Sequence, residues 1–226
     1  MEIKPIAYFS SPFTSKFGLP RQSGLVPKLR GKIVFTCDYS DPDSVRGLDG
    51  FDYLWIIWGF SGNLSVRKHA TVRPPRLGGN KQMGVFATRS PFRPNNLGLS
   101  AVRIERIGMQ GGRLAIEVSG ADLMDGTPVY DIKPYVVQAD CHSGVRSGFT
   151  DTEQWKMLAV EMKEEHEILF DDDELAALKQ ALALDPRPHY HSDPLRVYGM
   201  PFAGRDVRFT VDGEVMRVID VVDRVL

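Results

Sequence analysis

The feature that most constrains the fold is a series of short apolar segments between residues 32 and 137, separated by turn-forming residues. The segments are rich in β-branched and aromatic residues, which is typical of β-strands. Gly111 and Gly112 separate two of them, and such a pair accepts the positive φ that a two-residue hairpin turn requires. No ten-residue stretch of this half has a helical period. The predicted strands are KIVFTCDY (32–39), YLWIIWGF (53–60), MGVFATR (83–89), LSAVRIERI (99–107), RLAIEVSG (113–120) and VYDIKPYVV (129–137).

These segments predict a mainly-β fold. We expect residues 1–148 to form an antiparallel β-barrel, or a strongly curved sheet, of five to seven strands. Residues 149–226 have a different pattern, which predicts a small α+β C-terminal lobe. The chain therefore has one full domain and a smaller appendage, in keeping with its 226 residues, of which 42% are hydrophobic and 25% charged.

Two helices and a hairpin are predicted in the C-terminal lobe. Thr150 and Glu153 have the spacing of a capping box at the start of a helix that continues to Leu169. A second helix begins at the acidic cap of residues 171–173 and ends before Pro186. Further on, an alternating segment contains Asp212-Gly213, a sequence typical of a type I′ hairpin turn.

Several classes of site lack the residues that they need. Cys37 and Cys141 do not form a CxxC pair, no HExxH or phosphate-binding glycine motif occurs, and we predict no metal site. The longest apolar run, residues 53–60, is far shorter than the roughly 20 residues of a membrane helix. The first residues also lack a secretion signal. We therefore expect a cytoplasmic protein that does not enter a membrane.

The charges are unevenly distributed along the chain, although the net charge is −1. Residues 67–93 contain seven Lys or Arg residues and no Asp or Glu, whereas residues 151–185 contain eleven acids and three Lys residues. This distribution predicts one basic surface, for which a polyanion is a natural partner. The alternative is that the cations are solvated or pair with the acidic segment.

The basic region ends in an unusual loop, RSPFRPNNLG, at residues 89–98. Its two prolines stiffen the backbone, while Asn95 and Asn96 tolerate a left-handed conformation. The loop thereby presents Arg89 and Arg93, whose planar guanidinium groups can bind a carboxylate or phosphate with two hydrogen bonds. Alternatively, the loop only closes a hairpin and both side chains point into solvent.

Six motifs together give the chain a resemblance to the TsaA-like, or TrmO, family of tRNA adenine-N6-methyltransferases. The resemblance extends over nearly the whole chain. In one departure, Asn96-Leu97 stands where the commoner family pattern has Pro-Ile. The motifs are PRQSG (20–24), VRGLDGFDYLWII (45–57), RPPRLGGN (73–80), GVFATRSPFRPNNLGLS (84–100), DLMDGTPVYDIKPY (122–135) and DPRPHY (185–190).

The resemblance implies a homodimeric enzyme that binds S-adenosylmethionine on its β-barrel. Its implied partner is the tRNA anticodon stem-loop, where it methylates N6 of threonylcarbamoyl-adenosine at the position just 3′ of the anticodon, position 37. By position in the family motifs, the implied cofactor-binding residues are Pro20, Arg21, Gln22, Arg89, Leu99 and Asp122.

The chemistry of the cofactor and substrate suggests further candidates. The acceptor nitrogen is a poor nucleophile, so a positioned base would help, and Asp125 and Asp131 are the candidate catalytic residues. The threonylcarbamoyl group carries a carboxylate that Arg93 could bind while Arg89 holds the cofactor. His189 and His191 are expected to be surface or packing residues. The candidate substrate-binding residues are Arg73, Arg76, Arg93, Asn95 and Tyr135.

Two other functions are compatible with the sequence. The chain could be a non-enzymatic protein that binds S-adenosylmethionine or RNA, or, more remotely, a metal-dependent phosphoesterase. Because every implied cofactor motif precedes residue 148, we expect the barrel alone to bind the cofactor. We expect the C-terminal lobe, with Arg196, Arg205 and Arg208, to position the RNA.

Overall fold

The computed structural model describes residues 2–63, 69–74, 77, 81–151, 157–188, 191 and 193–224, and all structural statements below concern these residues. The strands are β1 (Ala7–Ser10), β2 (Arg30–Phe35), β3 (Tyr53–Gly59), β4 (Thr71–Val72), β5 (Met83–Gly84), β6 (Leu97–Gln110), β7 (Arg113–Ser119), β8 (Thr127–Pro134), β9 (Ala159–Glu161), β10 (Tyr198–Phe202), β11 (Arg205–Asp212) and β12 (Val215–Asp223). The α-helices are α1 (Val137–Asp140), α2 (Glu164–Glu167) and α3 (Asp172–Ala183).

Six strands close into an antiparallel barrel in the order β1-β2-β7-β6-β3-β8, which confirms the predicted fold class. The 14-residue β6 pairs with β3 through its first half and with β7 through its second half. A register shift between Ile104 and Arg106 lies between the two halves, where a bulge allows a strand to bend. The predicted Gly111-Gly112 hairpin is confirmed, with φ angles of 55° and 78°.

Three predicted strands end clearly earlier than expected, including the segment at 129–137, which ends as a strand at Pro134 and is helical from Val137 in α1, and neither β1 nor β4 was predicted. The segment at 83–89 is extended only in β5, and Val85–Ala87 then forms a 3-10 turn, because β5 pairs only with the two residues of β4. The segment at 32–39 ends as a strand at Phe35 and continues as a 3-10 turn. The sequence pattern did not identify β1, which closes the barrel between β2 and β8.

The C-terminal domain is a four-stranded sheet of order β10-β11-β12-β9, and α3 contributes buried residues to its core. The predicted second helix is confirmed as α3. The Asp171 side chain accepts a hydrogen bond from Glu174 N, and the Glu174 carboxylate accepts one from Asp171 N, which completes a capping box. The apolar face of α3 buries Ala177, Leu178, Ala181 and Leu182.

The first predicted helix, from Thr150 to Leu169, is wrong over its middle. Residues 152–156, and with them the Glu153 side chain of the expected capping box, lie outside the described residues. Residues 159–161 form β9, which pairs in parallel with β12, and within the described part of this segment the α-helical residues are 164–167. The available edge of β12 gives this segment a hydrogen-bonded partner, so tertiary pairing overrides the helical pattern.

The predicted C-terminal hairpin joins β11 to β12, but its turn is shifted by one residue. Asp212 pairs with Val215, so the two loop residues are Gly213 and Glu214. Gly213 has a φ of 59°, whereas Glu214 has no positive φ. A type I′ turn needs positive φ at both loop positions, and this turn is therefore of a different type.

The long loop between β1 and β2 connects the two domains. Within residues 11–29, Phe13, Val26 and Leu29 are buried, and they belong to the core of the C-terminal domain rather than to that of the barrel. Their burial removes apolar surface from both domains at once. An ion pair also joins the domains, with Arg30 Nε 2.6 Å from Asp173 Oδ2 on α3.

Candidate active site

A large cleft of about 1750 Å³ lies at one end of the barrel. Its walls come from the β1–β2 loop, the ends of β3 and β6, the loop before β6 and the segment after β7. Residues 147–150, which lead towards the C-terminal domain, line it as well. The cleft exceeds the roughly 300–1,000 Å³ of a typical small-molecule site, so it has room for a cofactor and part of a second substrate.

All six residues implied to bind the cofactor line this one cleft. They come from four separate parts of the sequence, which the closing of the barrel and the course of the β1–β2 loop bring together. Their groups include two guanidinium ions, a carboxylate, an amide and an apolar side chain, which fit the carboxylate, hydroxyl, amino and adenine groups of S-adenosylmethionine. They are Pro20, Arg21, Gln22, Arg89, Leu99 and Asp122.

A hydrogen bond joins two of these residues across the cleft. Arg89 Nη1 donates to Gln22 Oε1 at 2.8 Å. Arg89 lies in the loop before β6 and Gln22 in the β1–β2 loop, so the contact fixes one loop relative to the other. Arg89 remains exposed and is able to bind an anionic group at the same time.

Arg21 is held at the junction of the two domains. It lines the cleft and also a small cavity, of about 20 Å³, whose other wall includes Ala181, Leu184 and Asp185 of the C-terminal domain. Burial lowers the pKa of Arg21, and the nearby Asp185 carboxylate opposes this shift. Asp185 in turn pairs with Arg187, with 2.8 Å from Oδ1 to Nε. The start of the DPRPHY motif, Asp185 and Pro186, therefore lies beside the loop that carries Pro20 and Arg21.

Asp122 is part of a hydrogen-bonded chain that begins inside the barrel. Trp58 Nε1 donates to Ser100 Oγ at 2.9 Å, and Ser100 Oγ donates to Asp122 Oδ1 at 2.5 Å. Burial raises the pKa of Asp122. Hydrogen bonds from Ser100 and from the backbone of Asp122 and Ser23, together with the charge of Arg89, counter that effect.

The cleft is strongly basic. Asp122 is its single carboxylate among the described lining residues, and it faces several cations. In the part of the basic segment that the structure describes, no Asp or Glu oxygen lies within 4.0 Å of Arg73, Lys81, Arg89 or Arg93. The positively charged lining residues are Lys16, Arg21, Arg73, Arg89 and Arg93, with His69 beside them.

The loop that presents Arg93 is braced by the same side chain. Arg93 Nη1 donates to Thr88 O at 3.0 Å and lies 3.5 Å from Ser90 O, and the other guanidinium nitrogens make no such contact with a described residue. Asn96 adopts a φ of 47°, as its left-handed tolerance predicts. Proline is fixed near −65°, so the departure from the commoner family pattern at this position accompanies a different backbone conformation.

Several other candidate residues are not found in the described wall of the cleft. Arg76 and His189 lie outside the described residues. Asn95 is exposed and absent from the cleft wall, and Tyr135 packs on Trp55, with ring centroids 5.5 Å apart, on the outside of the barrel. His191 is near Tyr198 in the C-terminal domain, with ring centroids 5.9 Å apart.

The two candidate bases occupy different positions. Asp131 lies on β8 and pairs with Lys133 at 3.0 Å, away from the cleft. Asp125 is exposed and accepts a hydrogen bond from Ser11 N through Oδ1, and it lies in the turn between the cleft residues Met124 and Thr127. Its second carboxylate oxygen remains available to accept a proton.

The sequence did not identify some residues of the site. Trp58 and Ser100 were not singled out, and each lies within a predicted strand. The one indication was a serine at an inward position of an otherwise apolar strand, since a buried hydroxyl needs a partner. Lys16 and Phe149 were missed because neither lies within one of the six motifs.

Neither a metal site nor a membrane helix is found in the described part of the chain. No group of three or more His, Cys, Asp or Glu side chains there is arranged to bind a metal ion. None of the described helices has the length and apolar character needed to cross a membrane.

Comparison with known proteins gives consistent matches over both domains. The model of the tRNA-methyltransferase O N-terminal domain matches residues 8–141, and that of the TrmO C-terminal domain matches residues 155–224. A crystal structure of TrmO from Pseudomonas aeruginosa is 33% identical and covers 98% of each chain, with a TM-score of 0.77.

Curated relatives have similar extents. The chain is 39% identical over 227 residues to the "Putative S-adenosylmethionine-dependent methyltransferase RcsF" of Pseudomonas aeruginosa, covering 97% of this chain and 96% of that protein. It is 38% identical over 202 residues to the tRNA (adenine(37)-N6)-methyltransferase of Escherichia coli, covering 84% of this chain and 83% of that protein. With two family models covering most of its length, this chain belongs to the tRNA-methyltransferase O family.

Proposed function

We propose that this protein is an S-adenosylmethionine-dependent tRNA methyltransferase that methylates N6 of threonylcarbamoyl-adenosine at position 37, next to the anticodon. The observation that carries the proposal is the convergence of all six implied cofactor residues on one basic cleft. The names of the relatives, as tRNA (adenine(37)-N6)-methyltransferases and S-adenosylmethionine-dependent methyltransferases, support the same activity.

The cofactor, when bound, supplies an electrophilic methyl group. The residues of this chain would hold it: Arg89 or Arg21 binds its carboxylate, Asp122 accepts hydrogen bonds from its hydroxyl or amino groups, and Leu99 contacts an apolar part. Gln22 would orient Arg89 through the hydrogen bond between them.

The substrate would enter the remaining part of the cleft. Arg93 has nitrogens that its own loop does not use, and we assign them to the carboxylate of the threonylcarbamoyl group. Arg73 lines the same cleft and would contact a phosphate of the anticodon loop.

Proton removal from the acceptor nitrogen requires a base near the cleft. We assign this role to Asp125 because it borders the cleft and keeps one oxygen unpaired with the backbone. Asp131 is the weaker candidate because its carboxylate is paired with Lys133 and lies away from the cleft.

We also propose that the protein acts in the cytoplasm as a homodimer. The outside of the barrel supports a partner there, because Tyr53 is 44% exposed and lies beside Tyr135, which packs on Trp55, with ring centroids 6.3 and 5.5 Å apart. Exposed apolar clusters of this kind occur at protein interfaces. Sedimentation equilibrium of the purified protein tests the dimer, and a monomer at all concentrations would contradict it.

Transfer of a labelled methyl group tests the reaction. The purified protein is incubated with labelled S-adenosylmethionine and with tRNA from a strain that lacks this protein, and the nucleosides are analysed by mass spectrometry. We expect N6-methylation of threonylcarbamoyl-adenosine, and no transfer to tRNA that lacks the threonylcarbamoyl group. Cofactor binding without any methyl transfer would instead support a non-enzymatic binding protein.

A further inference from the structure

Two largely buried residues, Trp58 and Ser100, are linked to Asp122 by hydrogen bonds, and Trp58, which is 6% exposed, also contributes to the cleft wall. Ser100 is 1% exposed and projects from β6 into the barrel, and its hydroxyl lies between Trp58 and Asp122. Trp58 lies on β3, directly opposite Gly98 of β6. These contacts join residues that are 42 and 22 positions apart in the sequence.

The Trp58 side chain is fixed in place by close packing. A Cβ atom on Gly98 would lie 2.3 Å from the indole ring, so only glycine allows the indole to lie against β6 at this point. Phe60 covers Trp58, with ring centroids 4.3 Å apart. The Trp58 N–H therefore points in one fixed direction, towards Ser100 Oγ.

The direction of these hydrogen bonds follows from which groups are able to donate. Indole N–H can only donate, so Ser100 Oγ accepts from Trp58 and must use its own proton towards Asp122. The 2.5 Å distance from Ser100 Oγ to Asp122 Oδ1 is typical of a hydroxyl that donates to a charged carboxylate. Ser100 therefore holds one carboxylate oxygen, and the other can face the cleft.

We propose that Trp58 and Ser100 are positioning residues that orient the Asp122 carboxylate and keep it ionised for cofactor binding. This inference rests on the proposed function, because it assumes that Asp122 contacts the cofactor. Without the hydrogen bonds of Trp58 and Ser100, the partly desolvated Asp122 carboxylate would more readily take up a proton. It would then lose part of its ability to accept hydrogen bonds.

Other groups around Asp122 also affect the protonation equilibrium of its carboxylate. Arg89 is the cation with a direct electrostatic effect on Asp122, and the Ser23 backbone contributes a hydrogen bond. None of these groups is altered when Ser100 is replaced. The remaining charged or titratable side chains described along the cleft are Lys16, Arg21, His69, Arg73 and Arg93.

A matched pair of variants tests the proposal. Ser100→Ala removes the donor to Asp122. Ser119→Ala removes an equivalent donor elsewhere on the barrel, since Ser119 is 7% exposed and its Oγ donates to Glu105 Oε1, also at 2.5 Å. Ser100→Thr keeps the hydroxyl and is the conservative variant that should restore the wild-type behaviour.

The first measurement is made on the cofactor-free protein by carbon NMR of the side-chain carboxyl groups. We expect the Asp122 titration to move to higher pH in Ser100→Ala and to stay at the wild-type position in Ser119→Ala and Ser100→Thr. The second is calorimetric titration with S-adenosylhomocysteine at pH 7, where Ser100→Ala should bind about tenfold more weakly, the loss of one charge-assisted hydrogen bond.

The possible results distinguish the positioning role of Ser100 from the proposed function of the protein. An unchanged Asp122 titration in Ser100→Ala would overturn the positioning role, and so would affinity equal to that of Ser119→Ala. If the wild-type protein does not bind the cofactor at all, the proposed function fails, and so does the proposed role of the Trp58–Ser100–Asp122 hydrogen bonds in cofactor binding. Should Ser100→Ala prove unstable, Trp58→Phe removes the first donor of the chain and should shift the Asp122 titration in the same direction.

Discussion

Gly18, in the loop of the barrel domain, lies directly against Met200 in the core of the C-terminal domain. A Cβ atom on Gly18 would be 2.1 Å from Met200 Sδ, and Met200 is fully buried. Pro20, Arg21 and Gln22 begin two residues after Gly18, so the C-terminal domain supports the loop that carries half of the proposed cofactor residues. The position of this loop therefore depends on both domains, although every implied cofactor motif lies within residues 1–148.

Gly18→Ala should destabilise the protein by about 2–5 kcal/mol. Part of this is the left-handed backbone, with a φ of 89°, which costs a non-glycine residue about 1–2 kcal/mol. Overpacking against Met200 adds about 1–3 kcal/mol. Urea denaturation measures the change in the free energy of unfolding.

Gly24→Ala is the matched control for this substitution. Gly24 lies in the same loop with a φ of 81°, but a Cβ atom there would meet no other atom within 4 Å. This variant should lose only the backbone contribution of about 1–2 kcal/mol. Equal losses in the two variants would mean that the contact with Met200 does not limit the space at Gly18.

Asp122→Asn should stabilise the protein increasingly as the pH rises. Burial raises the pKa of Asp122 in the folded protein above its unfolded value. Within the window between these two pKa values the folded state binds more protons, so the stability of the wild type falls as the pH rises through it. The variant lacks this titration, and its advantage over the wild type should therefore grow between acid and neutral pH.

Urea denaturation of the wild type and Asp122→Asn at several pH values measures this difference, and the variant should also lose cofactor affinity. Asp131→Asn serves as the control because Asp131 is paired with Lys133 on the outside of the barrel. An advantage of Asp122→Asn that stays constant with pH would contradict the prediction.

Arg89→Ala and Arg93→Ala should affect different steps. Arg89 is assigned to the cofactor, and losing a charge-assisted contact of about 1.5–3 kcal/mol should weaken cofactor binding roughly 10- to 150-fold. Arg93→Ala should leave cofactor affinity within a few-fold and reduce methyl transfer to tRNA. Calorimetry and single-turnover methylation measure the two effects.

Arg93 needs an additional control because it also braces its loop through Thr88 O. Gln can donate to the same carbonyl oxygen but carries no charge, so Arg93→Gln separates the bracing from the charge. We expect Arg93→Gln to be as defective in methylation as Arg93→Ala. Normal cofactor binding and methylation in all of these variants would mean that the loop only closes a turn.

The fold class could be predicted from the sequence because it depends on local patterns, whereas the proposed cofactor residues were taken from the resemblance of their motifs to the family. Alternating apolar residues indicate β6 and β7 without knowledge of their neighbours, and Arg89 and Asp122 lie in contiguous motifs. The contact of Ser100 with Trp58 could not be predicted in the same way, because it exists only after β3 and β6 pair in one particular register.

The packing of the β1–β2 loop in the core of the C-terminal domain could not be predicted from the sequence for a similar reason. Phe13 and Leu29 precede the barrel strand β2 in sequence, yet both are buried in the core of the other domain. The expectation that residues 1–148 alone would bind the cofactor took no account of this packing. The barrel has a separate core of its own, but removal of residues 149–226 would expose the apolar side of the cofactor loop.

Three arginines of the C-terminal domain were expected to position the RNA, and their surroundings now distinguish them. Arg208 is paired with Asp206 and Asp220 at 3.2 and 3.3 Å, and Arg205 has a carboxylate oxygen of Asp223 at 3.5 Å. Arg196 is exposed and interacts with His191 and the ring of Tyr198, and no described carboxylate lies within 4.0 Å of it. Its charge is therefore the one available for a phosphate group.

Arg196→Ala should accordingly weaken tRNA binding and reduce the dependence of the affinity on salt concentration, because one phosphate contact fewer releases about one counterion less. Arg208→Ala, which removes a guanidinium already neutralised by two carboxylates, should leave the affinity and its salt dependence within about twofold. Filter binding with tRNA at several salt concentrations measures both quantities. If Arg208→Ala lowers the salt dependence as much as Arg196→Ala does, the ion pairs of Arg208 open on the RNA, and local pairing does not decide which arginine binds it.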